Sequence, residues 1–268
     1  MSEKFGTAVI TGASGGIGAV YADRLARRGY DLVLVARDGA KMEAVADRIR
    51  DAGAKTEILV ADLTKEQDLA SVENRLTKGD VTLLVNNAGM SLNGSLLENG
   101  GAEISRIVAL NITAPSRLAA AAAKAFVSRG QGAVINIASV LALAPERYDG
   151  IYSGSKSFLL NLSQSMTAHY AAQGLYTQSV LPGATRTELW ERSGKDINSF
   201  PIEMLMEVED LVDAALVGFD RRESITIPPL PDDAPWIAMQ QARLSMAPNL
   251  SRRAVADRYL SSLSQESV

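Results

Sequence analysis

Apolar residues in this chain fall into short unbroken runs, separated by longer stretches in which they recur every three or four positions. The runs are TAVIT (7–11), DLVLVA (31–36), TEILVAD (56–62), VTLLVNNAG (81–89), GAVINIAS (132–139), LYTQSVLPG (175–183) and SITIP (224–228). A short apolar run without polar alternation reads as a strand covered on both faces, the pattern of a parallel sheet. Between the runs, Ile17, Val20, Tyr21 and Leu25 share one helical side, as do Met42, Val45, Ala46 and Ile49, then Leu69, Val72 and Leu76. Val208, Leu211, Val212, Ala215, Leu216 and Phe219 make the last clean helical face. Strand and helix in regular alternation predict an α/β fold with a doubly wound parallel sheet. With 268 residues, 47% of them hydrophobic, residues 1–230 can form one domain around a single large core. Past Pro228 the run PPLPDDAP reads as a linker, and 231–268 reads as a helical appendage packed on the same domain or on a neighbouring subunit.

The ends of the strands carry the chemistry. TAVIT runs straight into GASGGIG, whose Gly12, Gly15, Gly16 and Gly18 permit a tight turn and let a phosphate approach the amides at a helix amino end. An ordinary glycine-rich turn is the alternative, and the strand before it and helix after it favour phosphate. At the end of the second strand stand Arg37 and Asp38. An acidic residue there binds ribose hydroxyls, whereas an arginine accommodates a 2′-phosphate. Arg37 comes first and Asp38 is placed to cap the next helix, so NADP(H) is expected over NAD(H). Asp62 ends the third strand, where it either faces an adenine edge or caps a helix. Asn86, Asn87 and Gly89 end the fourth, where amides can hold loops, touch a cofactor, or both.

A helix is expected over roughly 102–128 with Pro115 inside it. Proline has no N–H, so the Asn111 carbonyl loses its helical partner and needs a water or a side chain. The expectation is a kinked helix with a free carbonyl at Asn111, a purely structural kink being the plainer alternative. Beyond the fifth strand lies SVLALAPERYDGIYSGSK, 139–156. Tyr152 and Lys156 are four apart and share a helix face, and Ser139 is delivered to the sheet's carboxyl edge. A hydroxyl, a phenol and an amine there can meet one carbonyl. The stretch 185–201 is loosely patterned and lid-like.

Charge and composition narrow the field. Lys and Arg total 27 against 31 Asp and Glu, a net charge of −4 without long basic runs, which argues against nucleic acid as a partner. Lys124, Arg129 and Arg117 on the long helix can be read as a carrier-protein contact or, more commonly, as solvated positions. No apolar run approaches the ~20 residues of a membrane span, and the start MSEKFGTAVI carries no leader, so a soluble cytoplasmic protein is expected. With no cysteine and one histidine, His169, thiolate catalysis, a cysteine or histidine metal site and a Ser-His-Asp triad are hard to build, and no metal is expected.

Taken together these residues resemble the short-chain dehydrogenase/reductase family over about residues 5–230. TGASGGIG (11–18) and NNAG (86–89) match its motifs, Asn111, Ser139, Tyr152 and Lys156 match its catalytic tetrad, and LPGATRTEL matches its proline-glycine and threonine motif. The resemblance implies a Rossmann-like, seven-stranded parallel sheet in order 3-2-1-4-5-6-7. It implies an oxidoreductase that moves a hydride between nicotinamide and a ketone, aldehyde or secondary alcohol, acting as a homodimer or homotetramer through two long helices, a contact that the alanine-rich face at 119–125 permits. The implied cofactor residues are Gly12, Ser14, Gly16, Ile17, Gly18, Arg37, Asp62, Leu63, Asn87, Ala88, Gly89, Tyr152, Lys156, Pro182, Gly183, Thr185 and Thr187. Tyr152 is expected as proton donor with its pKa lowered by Lys156 and the oxidised nicotinamide, Ser139 as a hydrogen-bond donor to the substrate oxygen, and the Asn111 carbonyl as holder of a relay water. NAD(H) dependence and a non-catalytic cofactor sensor are the alternatives. Enoyl reduction is disfavoured by the short Tyr-to-Lys spacing.

Overall fold

The computed structural model of the chain describes residues 5–50, 53–92, 94, 96–187 and 196–260. Each apolar run is a strand: β1 (Thr7–Thr11), β2 (Asp31–Ala36), β3 (Thr56–Val60), β4 (Val81–Asn86), β5 (Gly132–Ile137), β6 (Leu175–Val180) and the two-residue β7 (Ile225–Thr226). The strands pair in parallel in the order β3-β2-β1-β4-β5-β6-β7. Successive residues point to opposite faces, and both faces are covered, which is why the runs contain so few polar positions. On one face Ile10, Leu32, Leu34, Leu83, Val85 and Ile135 form a core with α1 (Gly16–Arg27), α2 (Gly39–Arg50) and the helix Val208–Asp220. On the other, Val9, Val33, Leu84 and Val134 pack with α3 (Glu66–Leu76) and the long helices that follow β4 and β5.

The helix expected over 102–128 is three segments. These are α4 (Gly101–Val108), a wider π turn (Ala109–Thr113) and α5 (Ala114–Arg129), which has Pro115 at its start. The Ala114 N–H reaches back five residues to the Ala109 carbonyl. Proline's missing donor is thus met by inserting a wider turn, and such π turns often lie at functional sites. The Asn86 amide donates to the Pro115 carbonyl at 3.2 Å and to Asn136 on β5 at 3.0 Å, and Asn136 donates to Ser163 at 2.9 Å. This buried chain of amides fixes β4, β5, α5 and α6 (Gly150–Tyr170) to one another.

The alanine-rich stretch offered as a subunit contact is divided between the chain's own core and its surface, where Ala120 is exposed. Ala119, Ala122 and Ala123 are buried in the core beside Phe126 and Val134. The basic side chains of α5 are likewise committed: Arg117 pairs with Glu73 and Glu66, and Arg129 donates to the carbonyls of Lys78 and Val81. Lys124 is exposed.

After β6 comes α7 (Val208–Asp220), then β7. The chain divides after Pro229. From Leu230 the second unit carries α8 (Ala234–Ser245) and two short 3₁₀ turns, with Ile237, Met239, Leu244 and Met246 exposed. No helix among the described residues is long and apolar enough to cross a membrane. Residues 188–195 of the lid-like stretch lie outside the described residues.

Candidate active site

Strand order reverses between β1 and β4: their sequence neighbours lie on opposite sides, leaving a crevice at the carboxyl ends. A cavity of about 550 Å³ occupies that place. One end is the turn from β1 into α1. Gly12 and Gly16 adopt left-handed φ values of 68° and 51°, which lets the turn bring α1's amino end to the cavity wall without side chains in the way. Ser14, Ile17, Asn87 and Ala88 complete this end. Gly18 is buried behind it: a Cβ there would lie 2.4 Å from the Gly12 carbonyl oxygen, so it serves close packing of α1 on β1. Asn87 ties the same edge together. Its amide donates to the Thr11 and Gly12 carbonyls at 2.9 and 3.3 Å, while the Thr11 hydroxyl receives the N–H groups of Asn87 and Ala88 at 3.0 Å each.

The other end is reactive. Ser139 follows β5 and opens a 3₁₀ turn (Val140–Ala142), its hydroxyl accepting the Leu141 N–H at 3.1 Å. α6 begins at Gly150 because the Asp149 carboxylate accepts the amides of Ile151 and Tyr152 at 3.2 and 2.9 Å, a side-chain cap with charge suited to the helix amino end. One turn further, the buried Lys156 ammonium donates to the Ile137 carbonyl at 2.9 Å and lies 5.7 Å from the centre of the Tyr152 ring. Ser139, Tyr152 and Lys156 all line the cavity. So do Pro182, Gly183, Thr185 and Thr187, on the segment leaving β6, where Thr185 bridges to Met206.

Asn111 enters through its side chain. From the π turn it accepts the Met90 N–H at 2.9 Å and donates to the Met90 carbonyl and the Ser155 hydroxyl at 2.8 and 3.1 Å. It thereby clamps the segment after β4 to α6, a role that reading its backbone carbonyl alone did not reveal. A Cβ on Gly89 would lie 3.4 Å from Asn111 Oδ1 and 3.6 Å from Lys156 Nζ, so glycine keeps this space open.

Burial sets the electrostatics here. It drives the Tyr152 phenol above the ordinary tyrosine range, with the Ser139 hydroxyl pulling the other way. Burial also pushes the Lys156 ammonium down to about 8. Both groups sit in a low-dielectric pocket where the uncharged form is favoured, so the phenol keeps its proton.

Four positions expected to bind cofactor are not on the cavity wall: Gly18, Arg37, Asp62 and Leu63. The Asp62 carboxylate accepts both the amide and the hydroxyl of Thr64 at 3.1 and 2.7 Å, and Leu63 is buried in the core. At the end of β2, Asp38 accepts the Lys41 N–H at 3.0 Å as the cap of α2, which leaves the neighbouring Arg37 guanidinium to act on Asp62 only at a distance. The cavity also recruits Phe200, from the stretch read as lid-like, and Met90, Ser91, Val140, Leu141, Arg147, Tyr148, Ala184 and Met204, which sequence reading did not single out. Met90 and Val140 each directly follow a recognised motif, a signal that was available. Arg147, Phe200 and Met204 lie on irregular segments that carry no periodicity.

The glycine end fits the pyrophosphate of a dinucleotide and the open space at Gly89 fits a sugar or ring beside Lys156. Comparison with known proteins agrees with this architecture. A family model described as short chain dehydrogenase matches residues 6–198. The chain is 36% identical over 185 residues to 17-beta-hydroxysteroid dehydrogenase type 3 of Homo sapiens, covering 68% of this chain and 60% of that enzyme, so it spans about three-fifths of that relative's length. Among solved structures, a short-chain dehydrogenase from Sphingobium yanoikuyae in complex with NADPH is 50% identical with a TM-score of 0.93, covering 95% of this chain and 100% of that one. A bulky-bulky ketone specific alcohol dehydrogenase from Comamonas testosteroni is 44% identical with a TM-score of 0.89, covering 96% and 100%.

Proposed function

Because the chain belongs to the short-chain dehydrogenase family, we propose that it is an NADP(H)-dependent oxidoreductase interconverting a ketone or aldehyde and an alcohol. The observation that carries this reading is the convergence of Ser139, Tyr152 and Lys156 on one cavity whose far end is the glycine turn. Bound nicotinamide supplies the hydride; the protein supplies everything that makes a carbonyl ready for it. The Ser139 hydroxyl and the Tyr152 phenol are placed to donate to one carbonyl oxygen, polarising the bond and stabilising charge as it develops there. Tyr152 then gives up its proton to that oxygen. Its protonated state, held by burial, suits it to act as the acid in carbonyl reduction. Lys156, fixed by the Ile137 carbonyl beside the tyrosine ring, is the nearby cation that offsets the phenolate left behind. Asn111 holds the π turn, the Met90 segment and α6 in register.

Preference for NADP(H) is supported by the commitment of Asp38 to its helix cap, which leaves Arg37 as the charged group able to meet a 2′-phosphate. The NADPH complex of the Sphingobium yanoikuyae relative supports the same choice. The reading also includes a homodimer or homotetramer, and light scattering that finds only monomer would contradict that part.

The test is NADPH oxidation against a panel of bulky aliphatic and aromatic ketones and aldehydes, repeated with NADH. Turnover of at least one with NADPH is expected. Tight NADPH binding without turnover across the panel would instead indicate a cofactor-binding protein, and equal affinity for both cofactors would remove Arg37 from its assigned role.

A further inference from the structure

Several arginines of this protein are spent on carboxylates. Arg24 meets Asp213, Arg28 meets Asp220, Arg75 meets Asp80 and Glu57, and Arg186 meets Glu207. Arg147 differs. It ends the 3₁₀ turn Pro145–Arg147 and lines the cavity next to Tyr148, yet among the described residues its guanidinium makes no hydrogen bond or ion pair, only its backbone N–H being used, toward Ala144. The nearby Asp149 is already committed to the α6 cap, and among the described residues no Asp or Glu lines the cavity.

Burial gives the cavity a direction. Ser139, Tyr152 and Lys156 are all buried, whereas Arg147 is exposed. The lining also includes the apolar side chains of Met90, Leu141 and Met204. The cavity thus combines buried proton donors, apolar lining and, at an exposed position, a cation that makes no ion pair among the described residues. Apolar walls position a hydrocarbon body but do not recognise a charge, and a guanidinium is a planar fork that matches a carboxylate through two parallel N–H donors.

Resting on the oxidoreductase reading, we propose that Arg147 receives the carboxylate of an oxo-acid substrate whose carbonyl lies at Ser139 and Tyr152 and whose apolar body packs on the apolar lining. The enzyme is selective for ketones bearing an acid at the far end over their neutral isosteres.

The experiment compares benzoylbutanoate with its methyl ester as substrates for the NADPH-loaded protein and for Arg147→Gln, the readout being the acid-to-ester ratio of kcat/KM in each. That ratio should fall about tenfold in Arg147→Gln, the loss of one charge-assisted carboxylate contact, and further in Arg147→Glu. A second arm needs no turnover: phenylpentanoate, which has no ketone, is titrated into the NADPH complex and followed by nicotinamide fluorescence. It should bind about tenfold more weakly to Arg147→Gln, with the gap closing at high salt because the contact is exposed to screening. An unchanged ratio with unchanged phenylpentanoate affinity overturns the assignment while leaving ketone reduction intact. Arginine-dependent phenylpentanoate binding in a protein that reduces no ketone keeps the carboxylate site and sinks the oxidoreductase reading instead.

Discussion

The cavity has two unlike walls. The reactive wall is built from the sheet edge and the start of α6: main-chain groups hold Lys156, through the Ile137 carbonyl, and Ser139, through the Leu141 amide, and the Asp149 carboxylate caps the start of the Tyr152 helix. The rest of the lining, with Leu141, Tyr148, Phe200 and Met204, comes from turns and loops. Positions held by backbone geometry are precise to the degree that a proton transfer needs. Positions on loops tolerate exchange and set which molecule fits. The difference suggests a division of labour within one cavity, reaction type resting on the regular elements and substrate choice on the loops. Arg147 belongs to the second part.

If that division holds, changes on the two walls should have different signatures. The largest effect is expected at the phenol. Tyr152→Phe should lower kcat by about 10²–10⁴ for every substrate alike, the usual range for losing a positioned acid, while NADPH affinity stays within a few-fold. A loss confined to some substrates would blur the division. Asn111→Ala removes bonds to Met90 and Ser155 within the core. It should cost about 2–3 kcal/mol in denaturant unfolding, because buried partners are left unpaired, and lower kcat because α6 loses its tie to the π turn. Leu141→Ala should leave kcat for a small ketone nearly unchanged and shift kcat/KM between small and bulky ketones by about tenfold, the scale for lost apolar contact in a pocket.

The smallest effect is a pH dependence. The folded protein holds Lys156 at about 8 against an ordinary 10.5, so between these values the unfolded chain binds more protons than the folded one. Stability must therefore rise with pH across that window, and the burial penalty is fully present below it. Unfolding measured below 8 and again near 10.5 should show this rise in the unmodified protein and lack it in Lys156→Met. A rise of equal size in the variant would assign it to other groups.

How legible this was in the sequence follows the same division. Strands such as DLVLVA and VTLLVN declared themselves because a strand buried on both faces admits almost no polar residue. Ser139, Tyr152 and Lys156 were readable because one delivers from a strand end and two share a helix face. Pro115 announced a disturbance, but not its form, since a single inserted π turn leaves the apolar spacing on either side intact. The alanines at 119–123 showed that something packs closely, yet composition does not say which of them face the chain's own core, as Ala119, Ala122 and Ala123 do, and which face outward, as Ala120 does. Asp62 had two chemically equal uses, and its geometry commits the carboxylate to Thr64. Arg147 and Met204 were silent because loop side chains acquire meaning only from what the fold brings beside them.

The central claim, that this cavity brings a carbonyl to a hydride donor under Tyr152, is tested most directly by isotope transfer. The protein is incubated with a bulky ketone and NADPH deuterated at nicotinamide C4, using the label on each face in turn, and the alcohol formed is analysed by mass spectrometry. The account predicts an alcohol bearing the deuterium on its carbinol carbon from one labelled face and not from the other. An alcohol formed without deuterium from both, or no alcohol from any ketone of the panel, would contradict it.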